Sequence, residues 1–371
     1  MAKLLHISGN TYPPLDKKEH HTKRIWKELA NGFEEYHILA RSEDNKYRYS
    51  KEGNIHLHLV PRITRKSKVF FFSSFWMFYL IKKYKITHLL AQCPIVGGFT
   101  TALASRFYKI PLMVEIHGEE YFRFLRQDTL YGKINSSIIR FTFNTAQKIR
   151  SLNSMMTQKL RQYGIKKQIV EIPNRVNLKI FTPSKEDYIL HTPLQLISVG
   201  RFVKEKDYLN LIKNLEAISI EYHLTLIGGG MLKKDYLDYL EEEKIKNKVT
   251  LIDWIEQKDM VDVIRESDIY IQSSISEGMP RTIVEAMALK MPIISTKVGS
   301  IEGVLNHMCN SILIGSNSKE QIAQAIDTLV NNINLRESLS QQAYQDILEK
   351  YEWNKVFDLY RNEIFTMKED N

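Results

Sequence analysis

Cysteine is nearly absent: Cys93 and Cys309 are the only two in 371 residues. Two thiols cannot build a disulfide framework, so a reducing compartment, the cytoplasm, is expected. Long apolar runs are missing too. The longest, VFFFSSFWMFYLI (Val69–Ile81), is too short for a membrane span and carries two serines. The opening MAKLLHISGN has one lysine and an apolar run that meets polar residues at once, so no signal peptide is expected there. What remains is ordinary for a globular protein, with 43% hydrophobic and 26% charged residues. The length predicts two domains, each large enough for a sizeable core.

Acidic residues are scarce in the first half. Residues 1–190 carry 32 lysines and arginines against 15 acids, a balance of +17. Residues 191–371 carry 20 against 28, a balance of −8. Such asymmetry points the first half toward something anionic, a nucleic acid or a membrane surface. A generally lysine-rich composition is the plain alternative.

Short apolar segments alternate with helical patterns. In the first half Lys3–Ser8, Tyr36–Ala40, Ile55–Val60, His88–Cys93, Leu112–His117 and Gln168–Pro173 read as strands. Residues 177–193, with two prolines and little periodicity, read as a linker. Strands are then expected at Leu194–Gly200, His223–Gly230, Val249–Trp254, Ile269–Ser274 and Pro292–Lys297, and nearly unbroken helix from about Lys319. This pattern predicts an α/β protein with two Rossmann-like parallel-sheet domains. Ligands of such sheets bind at the carboxyl ends of strands, and a cleft between the domains is the default site.

Four places just past strands carry candidate chemistry. In SVGRFVKEKDY, Gly200 ends a strand, and Arg201 and Lys206 follow. Two cations there can hold a diphosphate, or can be solvated basic side chains. LIGGGMLKKD is glycine-rich, but Lys233 occupies the last glycine position of a dinucleotide fingerprint. It says only that the backbone turns tightly or approaches something closely. In SEGMPRTIVEAMA, Pro280 suits the first turn of a helix, leaving the amides of Arg281, Thr282 and Ile283 pointing outward as an anion site. The Gly278-Met279-Pro280 break leaves Glu277 on the loop and Glu285 about one turn into the helix. Glu285 sits among Ile283, Val284, Ala286 and Met287, and a buried carboxylate needs a partner. The plain alternative is a carboxylate favoured by the helix dipole. Finally, EIHGEE places His117 at a strand mouth, where it is either structural or catalytic.

These motifs, in this order, resemble the retaining glycosyltransferases of the GT-B fold, in particular the large family 4. VGRFVKEKDY is similar to the G-R-x…K-G segment, with Asp207 in place of the glycine. SEGMPRTIVEAMALKMPII resembles the E-x7-E segment, EIHG the histidine motif, and EIPNRVNLKIFTP the inter-domain segment, with Arg175 and Asn177 for Gly and Asp. YEWNKVFDLY resembles the tryptophan-marked terminal helix.

The resemblance implies two Rossmann-like domains facing each other across a cleft: 1–180 for the acceptor and 190–350 for the donor, with a terminal helix, about 354–371, crossing back. It implies that Arg201 and Lys206 bind the donor diphosphate, joined by Gly278, Met279, Pro280, Arg281, Thr282 and Ile283. Glu285 takes the ribose hydroxyls, and Glu277 and His117 lie beside the sugar. Asp253, Trp254 and Ile255 border the base. No metal and no cofactor beyond the nucleotide-sugar co-substrate are implied, and no D-x-D triad occurs. One departure stands out. The family's Gly-Gly turn after the first strand is replaced by GNTYPPLDKKEHHTKR (Gly9–Arg24).

The implied reaction is transfer of a sugar from a UDP- or GDP-sugar to a glycan or lipid-linked acceptor with retention, in bacterial surface polysaccharide biosynthesis. RITRKSKVFFFSSFWMFYLIKKYK (Arg62–Lys85) interleaves cations and aromatics, as a peripheral contact with the inner face of an anionic plasma membrane would. A core helix is its plain alternative. Rival functions are a sugar-nucleotide epimerase or phosphorylase of the same fold, and a nucleic-acid-binding protein using the basic half. The last gives no reason for Arg201, Lys206, Glu277 and Glu285 to converge, and no nucleic-acid partner is expected. A glycosidase would use paired carboxylates but has no need of the cations beside them.

Overall fold

Strands and helices alternate because short, near-continuous apolar runs are separated by amphipathic segments, and a parallel sheet buries such runs on both faces. The computed structural model describes residues 2–16, 21–61, 70–126, 128–183, 187–216 and 218–368. Two units result: Met1–Ile172 with Phe357–Asn371, and Pro173–Val356. The division falls ahead of 177–193, the stretch expected to be the linker, and that stretch belongs to the second unit.

The first unit is built on β1 (Lys3–Tyr12), β2 (Glu35–Ser42), β3 (Arg48–Glu52), β4 (Ile55–Val60), β5 (His88–Ala91), β6 (Leu112–Glu115), β7 (Lys148–Ser151) and β8 (Gln168–Glu171). Their order is β3-β4-β2-β1-β5-β6-β7-β8. Pairing is parallel except at the β3–β4 edge. The Gly9–Arg24 departure has a structural form at its start: β1 runs on to Tyr12 past an irregularity between Ile7 and Thr11.

The second unit holds β9 (Leu194–Val199), β10 (Tyr222–Ile227), β11 (Val249–Ile252), β12 (Ile269–Gln272), β13 (Ile293–Thr296) and β14 (Ile312–Ile314), all parallel. The order β11-β10-β9-β12-β13-β14 places the reversal of strand order between β9 and β12. Its core gathers Leu196, Leu211, Leu224, Leu226, Ile271 and Ile294, all 1% exposed or less. Each such side chain contributes roughly 1.5–3 kcal/mol by leaving water.

The final helix, Trp353–Phe365, starts in the second unit and joins the first from Phe357 onward. There Phe357 and Ile364 are fully buried, Lys148 Nζ donates to Glu363 at 2.6 Å, and Tyr360 donates to Glu115.

Candidate functional site

In an open parallel sheet, a crevice opens where strand order reverses, at the strands' carboxyl ends. In the second unit that point lies past Val199 of β9 and Gln272 of β12. Gly200 to Lys206 follow one strand, and Ser273 to Glu277 follow the other. The two loops are tied together: Ser273 Oγ donates to the Lys206 carbonyl at 2.8 Å, and the Ile275 amide to the Glu205 carbonyl at 2.9 Å.

Lys206 and Glu277 meet there, with Nζ 2.6 Å from Oε1. The same oxygen accepts from Ser274 Oγ at 2.7 Å and Gln272 Nε2 at 2.8 Å. Gln272 is itself held by Tyr270, whose hydroxyl donates to Oε1 at 3.0 Å. The Glu277 carboxylate is therefore fixed from beneath by neutral donors, and Lys206 lies against it. Arg201 is exposed at the end of the same strand.

Asp207 stands where the resembled motif has glycine, and its φ is +56°, in the left-handed region. The acid is held by its side chain, which accepts from Asn210 Nδ2 at 2.8 Å and Asn317 Nδ2 at 2.9 Å. Asp tolerates this region better than most residues.

The helix Arg281–Ala288 begins immediately behind Glu277. Pro280 takes the cap, one residue ahead of the expected first turn, and no side chain caps the helix. The first amides thus have no acceptor supplied by the cap residue. Glu285 is 8% exposed, with Ile283, Val284, Ala286 and Met287 also buried around the helix. Burial pushes its carboxyl pKa up, and the Arg281 charge one turn earlier pulls the other way.

Three residues not singled out as site residues shape this loop. Asn174 Nδ2 donates to the Met279 carbonyl at 2.6 Å. Gly299 has φ +62°, and a Cβ on it would overlap the Glu277 carbonyl oxygen. The Ser300 amide donates to that same oxygen at 3.0 Å. The readable signal was a Val-Gly-Ser following a strand. Arg175, another departure from the resembled pattern, places its guanidinium 5.8 Å from the Trp353 ring centre.

The glycine cluster serves the backbone. A side chain at Gly228 would overlap the Gly200 carbonyl, so its absence lets the ends of β9 and β10 stay in contact. Trp254, 57% exposed, lies over Gly229, where an added Cβ would be 3.3 Å from the indole. Asp253 pairs with Lys233 Nζ at 2.6 Å. Ile255 follows in the connection to the helix Gln257–Arg265.

In the first unit, His117 lies two residues past β6 and donates from Nε2 to Glu115 Oε2 at 3.0 Å. Glu115 is buried and also binds the Arg150 guanidinium and the Tyr360 hydroxyl. Burial pushes this carboxyl up, but the Arg150 and His117 charges outweigh it and hold it well below the usual carboxylate range. The imidazole is thus oriented by a fixed anion. Beside it His6, buried, has its pKa lowered to about 4 by desolvation. Glu115, Arg150 and Tyr360 escaped sequence reading because they come from three distant segments.

Two family models cover most of the chain: "Glycosyltransferase Family 4" over residues 19–180 and "Glycosyl transferases group 1" over residues 183–346. The chain belongs to the group 1, family 4 type glycosyltransferases. A glycosyltransferase of Methanocaldococcus jannaschii is 24% identical over 359 residues, 93% of each chain. The lipopolysaccharide core biosynthesis glycosyltransferase LpsD of Rhizobium meliloti is 22% identical over 222 residues, 59% of this chain and 63% of that one. Among solved structures, sucrose-phosphate synthase from Thermosynechococcus elongatus superposes with TM-score 0.82 at 16% identity, covering 98% and 99% of the two chains. Anabaena HepE in complex with UDP superposes with TM-score 0.75 at 14% identity, covering 99% and 100%. This glycosyltransferase therefore has the GT-B type of fold, with relatives in polysaccharide biosynthesis.

Proposed function

We propose that this glycosyltransferase moves a hexose or related sugar from a UDP- or GDP-sugar to a glycan or lipid-linked acceptor with retention, in surface polysaccharide assembly. The observation that carries the reading is Lys206, seated on Glu277 at the reversal of strand order and just ahead of an uncapped helix start. That arrangement suits a diphosphate, whose charge Lys206, Arg201 and the amides of 281–283 neutralise. A UDP donor accords with HepE, solved in complex with UDP and with UDP-glucose. Glu285 grips the ribose, Trp254 borders the base, and Glu277 and His117 serve the sugar. In a same-face displacement the bond from C1 to the diphosphate oxygen breaks as the acceptor oxygen bonds C1. The departing phosphate takes the acceptor's proton. None of these steps calls for a metal or a cofactor.

The lipid-linked acceptor brings the chain to the cytoplasmic face of the membrane in this reading. Phe72 (67% exposed), Phe75, Trp76 and Tyr79 are exposed on the first unit, next to the exposed Lys82 and Lys83. Tyr79, Lys82 and Lys83 belong to the helix Met77–Tyr84, whose Met77, Leu80 and Ile81 are buried, so that helix carries an exposed and a core face. Phe72, Phe75 and Trp76 lie in the turns just before it. The basic run at 62–69 lies outside the described residues. No helix among those described is long and apolar enough to cross a membrane.

Thermal stabilisation by a panel of nucleotide sugars tests the donor, since a ligand that binds only the native state raises stability. A UDP- or GDP-sugar should stabilise the chain, and NMR of the product should show the donor's anomeric configuration kept. An inverted product, or stabilisation by no nucleotide sugar, contradicts the proposal. Flotation with anionic liposomes tests the membrane contact, which should weaken with salt and with Trp76→Ser.

A further inference from the structure

A second cluster, outside the site described above, lies toward the β3 edge of the first sheet. β2 and β4 run parallel, with His37 directly opposite His56. Side chains alternate along a strand, so Glu35 shares the face of His37, and His58 that of His56. One donor atom from each of Glu35, His37 and His56 lies within 4.8 Å of the other two.

We propose that Glu35, His37 and His56 form a binding site for a borderline divalent cation, Zn2+ above all, that clips β2 to β4. Two imidazoles and a carboxylate are a ligand set that Zn2+ takes with one position left for water. The outer contacts are those such a site needs. His37 Nε2 lies 3.1 Å from Glu35 Oε2, while its Nδ1 meets His58 Nε2 at 3.2 Å. A proton on His37 Nδ1 directed at His58 leaves Nε2 as the ligand. His56 Nδ1 meets the Tyr49 hydroxyl at 2.9 Å. His56 Nε2 is buried without a partner, in a residue only 4% exposed. Buried polar atoms are rarely left so, and a cation accounts for this one. Each ligating ring is thus oriented through its other nitrogen, as in established metal centres.

Ligand atoms on a tetrahedral Zn2+ stand about 3.3 Å apart, given bonds of about 2.0–2.1 Å. The Glu35–His37 pair already lies near that spacing at 3.1 Å, and the proposal requires His56 to draw in from within 4.8 Å as the metal binds. Lys3 Nζ lies 3.1 Å from Glu35 Oε2 but also 3.2 Å from Glu34 Oε1, so it can retreat to Glu34 as the metal enters. Entry comes past Glu35, whose side chain is 26% exposed. This is a cross-strand clip, independent of the sugar-transfer chemistry.

The test uses the full chain, stripped with chelator and titrated with Co2+, whose visible absorption reports its coordination. One equivalent should bind with the absorption of a low-coordinate nitrogen and oxygen site, and Zn2+ should displace it and raise Tm. His56→Gln and Glu35→Gln should each weaken binding at least about 10-fold, and Tyr49→Phe, which leaves every ligand in place, about 10-fold. Because a variant at buried His56 could fail to fold, the variant at the partly exposed Glu35 decides independently. His223→Ala, in the second unit, should change nothing. Absence of stoichiometric Co2+ binding, or binding unchanged in Glu35→Gln, overturns the proposal.

Discussion

The two units share one sheet plan and handle charge in opposite ways. In the first, Glu115 and Arg150 are both almost fully buried and close on each other, with Tyr360 and His117 filling the remaining bonds. In the second, Lys206 and Glu277 pair at a crevice mouth, each side chain more than a tenth exposed. A sealed pair commits its charges to holding structure. A pair at a mouth keeps its cation available to an anion from solution. In the proposed reading, the Glu115–Arg150 pair therefore stabilises and orients, while the Lys206–Glu277 pair is placed to meet a donor.

Removing one partner from each pair gives the largest expected contrast. Arg150→Met leaves Glu115 buried without its countercharge and should cost about 3–5 kcal/mol of stability. Hydrogen exchange should show that loss in residues 1–172 and 357–368. Adding Glu115→Gln should recover much of it. Lys206→Ala should leave stability nearly unchanged, because Glu277 keeps Ser274 and Gln272. It should instead weaken donor binding by roughly 1.5–3 kcal/mol, or about 10- to 150-fold, read by calorimetry. Equal stability losses in the two variants would erase the distinction.

The units should also part company on acidification. His6 has its pKa lowered to about 4 by burial, against an ordinary 6.5. The unfolded chain therefore binds its proton first, and stability is lost as pH falls from about 6.5 through 4. Glu115, held low, adds a loss as pH falls below the ordinary 4.5. Glu285 acts in reverse: its folded carboxyl is raised, so the native state binds the extra proton and stability falls as pH rises through and above 4.5. Exchange at pH 5 compared with pH 7 should open the first unit and spare the second. Glu285→Gln should raise Tm at pH 7 while weakening donor binding. A variant with lowered Tm would mean that the ionised carboxylate has a stabilising partner.

These contrasts also explain what could be read from the sequence. The second unit's site is carried by two contiguous motifs, so Lys206, Glu277 and the helix start were legible, as were most strands. β7 was not, because its Lys148 and Arg150 look like surface charge until Glu363 and Glu115 are seen beside them. β3 is a polar, largely exposed edge and β14 only three residues, so neither shows an apolar run. The expected strands at His88–Cys93 and Leu112–His117 overran their ladders by two residues each. At β6 the overrun contains His117: its apolar neighbour Ile116 continues the strand pattern, while the chain has left the ladder to present the imidazole.

The smallest expected effect is at Asp207, and it sharpens the comparison most finely. A left-handed φ of +56° disfavours a side chain, so glycine there would relieve strain. The same change deletes the side-chain bonds from Asn210 and Asn317, each worth about 0.5–1.5 kcal/mol, while Asn317 keeps its bond to the carbonyl of residue 207. It also loosens the unfolded chain, which offsets part of the gain. Asp207→Gly should therefore move stability by less than about 1 kcal/mol, read from chemical denaturation. Because Asp207 adjoins Lys206, the informative readout is donor affinity in the same variant. An unchanged affinity means that the backbone turn alone positions the lysine. A several-fold loss would show that the Asn317–Asp207 contact holds the turn that Gly200 and Lys206 share, and that this charged substitute for glycine belongs to the donor site.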